Sequence, residues 1–398
     1  MDKVRLLFCA ESLDMNGAMK SLLALLGALP RNIFDISLFV CSHHGVLQQS
    51  IPAGVTILPE VPAYAVFRLS FVKGLCYALK HWRVDLFVAR SWVPVARWLH
   101  LPGAFWWLRP TIQGEWDGVF AYADGFIGQV AVKKVSTGRK YLWVHTDYRI
   151  CPESQATAKA FSQAAGAVTV SQDATRAFRT WYEQEMGRAY DRPVYLLYNI
   201  IDAREICQRA REAVDLPARV TRRFRLVTVG RFSPPKNPLA IPRMARLLKA
   251  HKRSFEWFYV GGGQGIEAMP RILQEAGVVD CVHFVGEQTN PMPWVASADV
   301  IVQPSRWEGW GMTVSEALVL NKPVVVSDLP VLREQVFQGK NGFLCPLDDD
   351  EAFVKAIEEL MDNPGLRERL TTYSEAYPFT AEKVCKEFYE QFCQGCCR

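Results

Sequence analysis

The sequence predicts an α/β protein built on two doubly wound parallel sheets, and three observations carry that expectation. First, β-branched runs alternate with helix-length spacers along the chain, the pattern of a parallel sheet with helices on both faces. Second, at 398 residues the chain is longer than one domain usually grows. Third, hydrophobic residues make up 49% and charged residues 22%, the balance of an ordinary globular protein.

The elements follow in order. Val4–Ala10 is expected as a buried first strand, then a loop at Asp14-Met15-Asn16-Gly17 and an apolar helix over 18–29. Strands are predicted at Phe34–Cys41, Val55–Leu58, Leu86–Ala89, Tyr141–Val144 and Ala167–Val170. The segment Tyr182–Arg192 is polar, lacks apolar periodicity and is the expected linker. A second series starts near Pro193 with a strand at Val194–Leu197 and an Arg-rich helix over 205–213. β-branched runs then recur at Arg225–Val229, Trp257–Val260, Val282–Val285, Val300–Gln303 and Pro323–Val326. The expected domains are therefore 1–193 and 194–375, with a C-terminal helix within 376–398 completing the first. Val384, Phe388 and Phe392 mark one face of that helix. Two open parallel sheets predict a cleft lined by the carboxyl ends of their strands.

Several classes are excluded or disfavoured. No apolar run approaches the roughly eighteen residues of a membrane-spanning helix. The apolar stretch Leu6–Ala10 is too short for a signal peptide, so a cytoplasmic location is expected. A formal charge of +5 is too mild for a nucleic-acid binder, though compatible with weak attraction to an anionic membrane. The eleven cysteines are scattered except for Cys393, Cys396 and Cys397, and no second Cys/His pair at ligand spacing accompanies them. Reduced thiols are expected, without zinc.

Two stretches carry chemistry. In Val229-Gly230-Arg231-Phe232-Ser233-Pro234-Pro235-Lys236-Asn237, a strand ends, Gly230 turns the backbone and two cations project. A planar guanidinium and a mobile ammonium suit a diphosphate; a solvated basic loop is the alternative. In Pro304–Ala317, a strand runs into a loop with Gly309 and Gly311, and a helix opens near Met312. Free amides at such a helix start bind phosphate oxygens. Glu316, one turn in, can accept from ribose hydroxyls, and Glu308 can reach hydroxyls at the sugar end of the same ligand. The bland alternative is a first-turn carboxylate favoured by the helix dipole and a surface glutamate.

Arg231…Lys236 followed by Glu308-x7-Glu316, with Gly261-Gly262-Gly263 between them, resembles the family-4 retaining glycosyltransferases of the GT-B fold, glycosyl transferases group 1. Gly17 resembles the family's N-terminal glycine loop, with Asn16 in place of its first glycine. Tyr198-Asn199-Ile200-Ile201-Asp202 is similar to the start of the family's second domain. The resemblance implies that Arg231 and Lys236 bind the diphosphate, Glu316 the ribose and Glu308 the transferred sugar. Amides around Gly309, Trp310, Gly311, Met312 and Thr313 would cap the phosphate, Trp310 would be a lining residue, and Gly286 with Glu287 would edge the nucleotide base. It also implies a retaining, front-face transfer without a protein nucleophile, cofactor or metal. Asp348-Asp349-Asp350 contains an Asp-x-Asp, but helix N-capping is the better reading.

His145 follows the strand Tyr141–Val144, where a histidine could hydrogen-bond the donor sugar or its leaving phosphate, with Asp147 nearby to orient the ring or hold the acceptor. A structural histidine is the alternative. Asn16 and Asp147 are the expected acceptor-side residues. Between Phe67 and Trp116, Lys73, Lys80, Arg83, Arg97 and Arg109 interleave with Trp82, Trp92, Trp98, Trp106 and Trp107. That mixture suits a membrane interface as well as it suits a helical core with a basic surface. On the membrane reading the protein is peripheral at the inner face of the membrane. The expected acceptor is then a lipid-linked saccharide of capsule, lipopolysaccharide or glycolipid assembly, and the donor a UDP-sugar, with GDP the alternative nucleotide. Two rival functions stay open: a non-catalytic sugar-nucleotide-binding protein, and a sugar-nucleotide epimerase. A nicotinamide enzyme is disfavoured, because no Gly-x-Gly-x-x-Gly follows the first strand.

Overall fold

Two parallel sheets account for the strands of the computed structural model, which describes residues 3–14, 16–67, 69–98, 106–123, 125–217, 223–372 and 380–393. The first sheet contains β1 (Val4–Ala10), β2 (Phe34–Val40), β3 (Val55–Ile57), β4 (Gly118–Ala121), β5 (Arg139–Val144), β6 (Gly166–Thr169) and β7 (Val194–Leu196). Their order is β3-β2-β1-β4-β5-β6-β7. Parallel pairing throughout demands crossover connections, and the order reverses between β1 and β4.

Side chains alternate across a strand, so β1 serves two layers. Leu7 and Cys9 join Phe39, Val119, Leu142 and Phe161 in one core cluster. Phe8 points the other way, stacked on Phe120 at 5.1 Å and 6.2 Å from Phe388. Phe388 belongs to the helix Ala381–Phe392, which buries Val384, Phe388 and Phe392. Phe392 in turn lies 4.8 Å from Tyr141 and 4.9 Å from Tyr195. Each such phenylalanine contributes roughly 1.5–3 kcal/mol through burial. The first unit thus runs to Ile200 and resumes at Ala381.

Three expectations are corrected. The boundary lies at 200/201 rather than 193/194, because Val194 opens β7 and pairs with Ala167 in the first sheet; an apolar run marks a strand but not its sheet. Tyr182–Arg192 is no linker. Tyr182 sits in the helix Gln172–Met186, and its ring lies 4.8 Å from that of Tyr190, both packed near Phe178. Leu86–Ala89 is helical, part of Val84–Trp98, with Leu86 and Ala89 buried against Ala63, Val66 and Ala78.

The second unit, Ile201–Thr380, contains β8 (Phe224–Val229), β9 (Phe255–Val260), β10 (Val282–Gly286), β11 (Val300–Gln303), β12 (Val324–Ser327) and β13 (Gly342–Cys345). Their order is β10-β9-β8-β11-β12-β13, again parallel, with its reversal between β8 and β11. Leu226, Trp257, Val300 and Val325 pack with Met244 and Leu248 of the helix Ala240–Ala250 and Phe353 and Ile357 of the helix Asp350–Asp362. Within this sheet Arg225 Nε meets Glu256 Oε1 at 2.6 Å, both side chains at most 5% exposed.

The chain passes between units through Asn199 and Asp202. Asn199 is buried and its Oδ1 accepts from Ser21 Oγ at 2.9 Å. Asp202 caps the helix Ala203–Arg209, accepting from the amides of Arg204 and Glu205 at 2.9 and 3.0 Å. Among the described residues no helix is long and apolar enough to cross a membrane. The described cysteines are free thiols, with Cys9, Cys41, Cys281, Cys345 and Cys393 buried; Cys396 and Cys397 lie outside the described residues.

Candidate active site

Ligand sites in doubly wound sheets form where the strand order reverses, at the carboxyl ends of the strands. In the second unit that point lies between β8 and β11. The loop after β8 is held by backbone contacts with its neighbour. Gly230 N donates to Val260 O at 3.0 Å, Phe232 N to Gly262 O at 2.7 Å, and Tyr259 Oη to Arg231 O at 2.8 Å. The Arg231 carbonyl is therefore fixed while its side chain is exposed.

Gly261-Gly262-Gly263 explains itself at this junction. A Cβ on Gly261 (φ +150°) would fall 1.9 Å from Gly230 O, and one on Gly263 (φ +155°) 2.4 Å from Phe232 O. The two loops touch backbone to backbone, and no side chain fits between. Gly262 lies beneath Glu287, whose Cβ a substituent would approach to 3.2 Å. Gly286 ends β10 at a register shift with φ +75°, and its carbonyl accepts from Gly261 N at 2.8 Å. Gly286 and Glu287 thus form the next loop of the same row.

Lys236 lays its aliphatic stem over Gly230, where a Cβ would meet Lys236 Cδ and Cγ at 3.3 Å. Its Nζ then reaches Glu308 Oε1 at 2.6 Å, spanning the reversal point. Ser305 Oγ donates to the same oxygen at 2.7 Å and receives a bond from Gln303 Nε2 at 3.1 Å. Both bonds to Glu308 fall on Oε1, and the carboxylate keeps acceptor capacity at Oε2. A further backbone bond, Arg306 N to Pro235 O at 2.8 Å, clamps the β8 and β11 loops together.

Beyond Gly309 the loop turns inward. Trp310 is 3% exposed; its Nε1 donates to Ser315 Oγ at 3.0 Å, and its carbonyl accepts from Gln335 Nε2. Ser315 Oγ donates onward to Gln335 Oε1 at 2.5 Å. The expectation of a lining residue is corrected: the Trp310 ring anchors the loop from below. Gly311 starts the helix Met312–Val319 at φ +89°, and among the described residues no side chain caps it. The first-turn amides of Met312 and Thr313 are the donors such an end offers to an anion. Thr313 Oγ1 bonds Val229 O at 3.4 Å, and Glu316 is buried one turn further along the same helix.

The Asp348–Asp350 run is occupied locally. Asp349 caps the helix Asp350–Asp362, accepting from Ala352 N at 2.9 Å. Asp348 Oδ1 takes Arg306 Nε at 3.1 Å and Asn237 Nδ2 at 3.3 Å, and Asp350 pairs with Arg243 at 2.5 Å.

In the first unit the predicted residues follow the carboxyl ends of two strands, Asn16 and Gly17 after β1 and His145 and Asp147 after β5. Asn16 caps the helix Gly17–Ala28, its Oδ1 accepting from Met19 N at 2.9 Å, so a capping side chain occupies the place of the first glycine. Ser21 on that helix bonds Tyr122 Oη at 3.0 Å, just past β4. His145, just past β5, is half-buried with its ring 4.8 Å from Tyr122 and stacked 6.3 Å from Trp143. Burial pushes its pKa down to about 3, so the imidazole is neutral at physiological pH. Asp147 pairs with Arg149 through both carboxylate oxygens, at 2.6 and 2.8 Å, keeping acceptor capacity on each, and Arg149 continues to Asp173 at 2.6 Å. Sequence reasoning missed Tyr122, Ser305 and Gln335. Of these only Ser305 carried a signal, its position three residues before Glu308.

Comparison with known proteins fits this geometry. Residues 215–377 match the family described as Glycosyl transferases group 1. A lipopolysaccharide core biosynthesis mannosyltransferase, LpsB of Rhizobium meliloti, is 39% identical over 23% of this chain and 26% of its own length. LpsD of the same organism, a lipopolysaccharide core biosynthesis glycosyltransferase, is 28% identical over 47% of this chain and 52% of its own. The matched segments thus span a quarter to half of these relatives. Among solved structures, HepE of Anabaena in complex with UDP shares 17% identity with a TM-score of 0.68, covering 98% of this chain and all of that one. That likeness shows the fold, which is GT-B.

Proposed function

We propose, from the match of residues 215–377 to the family described as Glycosyl transferases group 1 and from the geometry above, that the protein is a retaining glycosyltransferase of the family-4 type. It moves a hexose from a nucleotide-sugar, UDP-sugar by preference, to a saccharide acceptor. The observation that carries this reading is the Lys236–Glu308 pair at 2.6 Å, set at the strand-order reversal with the side-chain-free helix start at Gly311 following in the same loop.

In this reading Arg231, Lys236 and the amides of Met312 and Thr313 stabilise the negative charge that grows on the departing diphosphate. Glu316 accepts from the ribose, Glu308 from the sugar hydroxyls through Oε2, and the row at Gly286–Glu287 borders the base. Neutral His145 supplies a hydrogen bond to the sugar or leaving phosphate, and Asn16 and Asp147 belong to the acceptor side. Attack comes from the face the diphosphate leaves, so the configuration is retained with no protein nucleophile and no metal. Lipopolysaccharide core synthesis is named for two of the relatives, and a lipid-linked acceptor in cell-surface polysaccharide assembly is the matching substrate here.

A thermal-shift screen against UDP- and GDP-sugars tests the donor site. A cognate donor at about a hundred times its Kd adds roughly 2.7 kcal/mol to stability, read as a raised Tm. If no nucleotide-sugar moves the Tm, the reading fails. Donor hydrolysis that persists undiminished in a Glu308→Ala, Lys236→Ala double variant would remove the site assignment.

A further inference from the structure

The helices Phe71–Lys80 and Val84–Trp98 carry apolar side chains on two faces. Their inner face is accounted for: Ala78, Leu86 and Ala89 are buried in one cluster with Ala63, Val66 and Leu108. Packing there is tight, since a Cβ on Gly74 would fall 2.7 Å from Val66 O and 2.9 Å from Arg90 Nε.

The outer face is apolar as well. Val72, Cys76 and Leu79 recur at helical spacing on the first helix and are exposed. Val84, Val88, Trp92 and Val95 do so on the second, with exposures of 69, 50, 58 and 39%. Between the helices Trp82 is 91% exposed and takes φ +53°, a left-handed conformation uncommon for a bulky residue. Single exposed apolar residues are ordinary, but a contiguous stripe across two helices marks an interaction surface.

The charges identify the occupant. Lys73, Lys80 and His81 are exposed on the same helix pair. Asp85 is the single acid in residues 69–95 and is already engaged by Arg83 at 2.6 and 2.9 Å. Tryptophan with lysine around an apolar stripe matches the headgroup depth of an anionic bilayer. The same face of a second copy would set Lys73 and Lys80 against like charge.

We propose that this outer face docks on an anionic lipid bilayer, with Trp82 and Trp92 at headgroup depth and Val72, Leu79, Val84 and Val88 against the acyl boundary. The proposal takes its purpose from the lipid-linked acceptor reading above, while the surface itself stands on exposure and charge. Lys73 and Lys80 would meet lipid phosphate.

The test is flotation of the full chain with phosphatidylcholine vesicles, with and without phosphatidylglycerol. Binding is expected only with phosphatidylglycerol. Trp82→Ser with Trp92→Ser is expected to lower the vesicle-bound fraction at least about tenfold. So is Lys73→Gln with Lys80→Gln, each lysine near the surface being worth about fivefold. Both variants should keep the wild-type Tm and the donor-induced thermal shift, which separates lost docking from misfolding. Wild-type protein that stays in the soluble fraction overturns the proposal, as does either variant floating like wild type. A dimer in sedimentation velocity that these tryptophan substitutions dissociate overturns it too, since the face would then join two copies. A missing donor shift alongside intact flotation would instead remove the transferase reading and leave the surface standing.

Discussion

Lys236 Nζ lies 2.6 Å from Glu308 Oε1, joining the loops after β8 and β11 across the point where the strand order of the second sheet reverses. The pair does two jobs: it holds the ammonium over the loop mouth, and it orients the carboxylate so that Oε2 can receive a hydroxyl. Lys236→Met is expected to reduce donor turnover roughly 10²–10³-fold, as removal of one group stabilising a developing oxyanion does. Glu308→Gln keeps the shape and should lose about 10²-fold. Single-turnover kinetics with whichever nucleotide-sugar raises the Tm check both, and a loss confined to KM would assign the pair to ground-state binding.

Gln335 is the concealed support of the helix start. It contacts the Trp310 carbonyl, Ser315 Oγ and, through its own carbonyl, Asn341 Nδ2 at 2.8 Å. Gln335→Leu leaves buried polar groups unsatisfied and is expected to cost about 1–3 kcal/mol, measured as a lower urea midpoint. Because the loop carrying Glu308 ends at Trp310, weaker donor binding should accompany that loss.

Two glycines should answer differently to the same methyl group. Gly261→Ala drives a Cβ to within 1.9 Å of the Gly230 carbonyl and is expected to cost at least about 3 kcal/mol. Gly286→Ala meets nothing within 4 Å, so only the left-handed backbone resists it, at about 1–2 kcal/mol. Comparing urea midpoints of the two variants checks the contrast.

His145 predicts a pH signature. Its folded pKa, about 3, lies below the ordinary 6.5 because burial disfavours the charged ring. Between those values the unfolded chain binds more protons, so stability rises with pH across the window and is lost as pH falls through it. His145→Gln should therefore lose less Tm than wild type on going from pH 6.5 toward pH 3. Parallel Tm profiles for the two proteins would contradict the burial argument. The pH–rate profile should likewise show no imidazole limb near 6.5.

Strand positions were legible wherever β-branched residues ran together, as at Val300–Gln303, because buried parallel strands are apolar on both faces. The same logic misread Leu86–Ala89, where Val84, Val88 and Val95 face outward from a helix and Leu86 and Ala89 inward. A run with apolar residues on both faces lacks the contrast that separates the two periods. At the site, Arg231, Lys236, Glu308 and Glu316 stood out as charged residues beside glycines. What joins them did not: Lys236 and Glu308 are 72 positions apart, and Gly261 is required by a backbone it meets only after folding. Tyr182 and Tyr190 passed as a linker because polar neighbours concealed two rings that pack on Phe178.

The helix Ala381–Phe392 has a consequence for synthesis. Phe388 and Phe392 cover Phe8, Phe120 and Tyr141 of the first sheet, yet the roughly 180 residues from Ile201 to Thr380 separate them from it in the chain. At about 5–20 residues per second of translation, the uncovered aromatic face waits roughly 10–40 s for its cover. The second unit draws its core from one continuous stretch, Leu226 to Leu370, and needs no such late arrival. Nascent chains stalled before Ala381 should therefore present a greasy, chaperone-binding sheet that full-length chains hide.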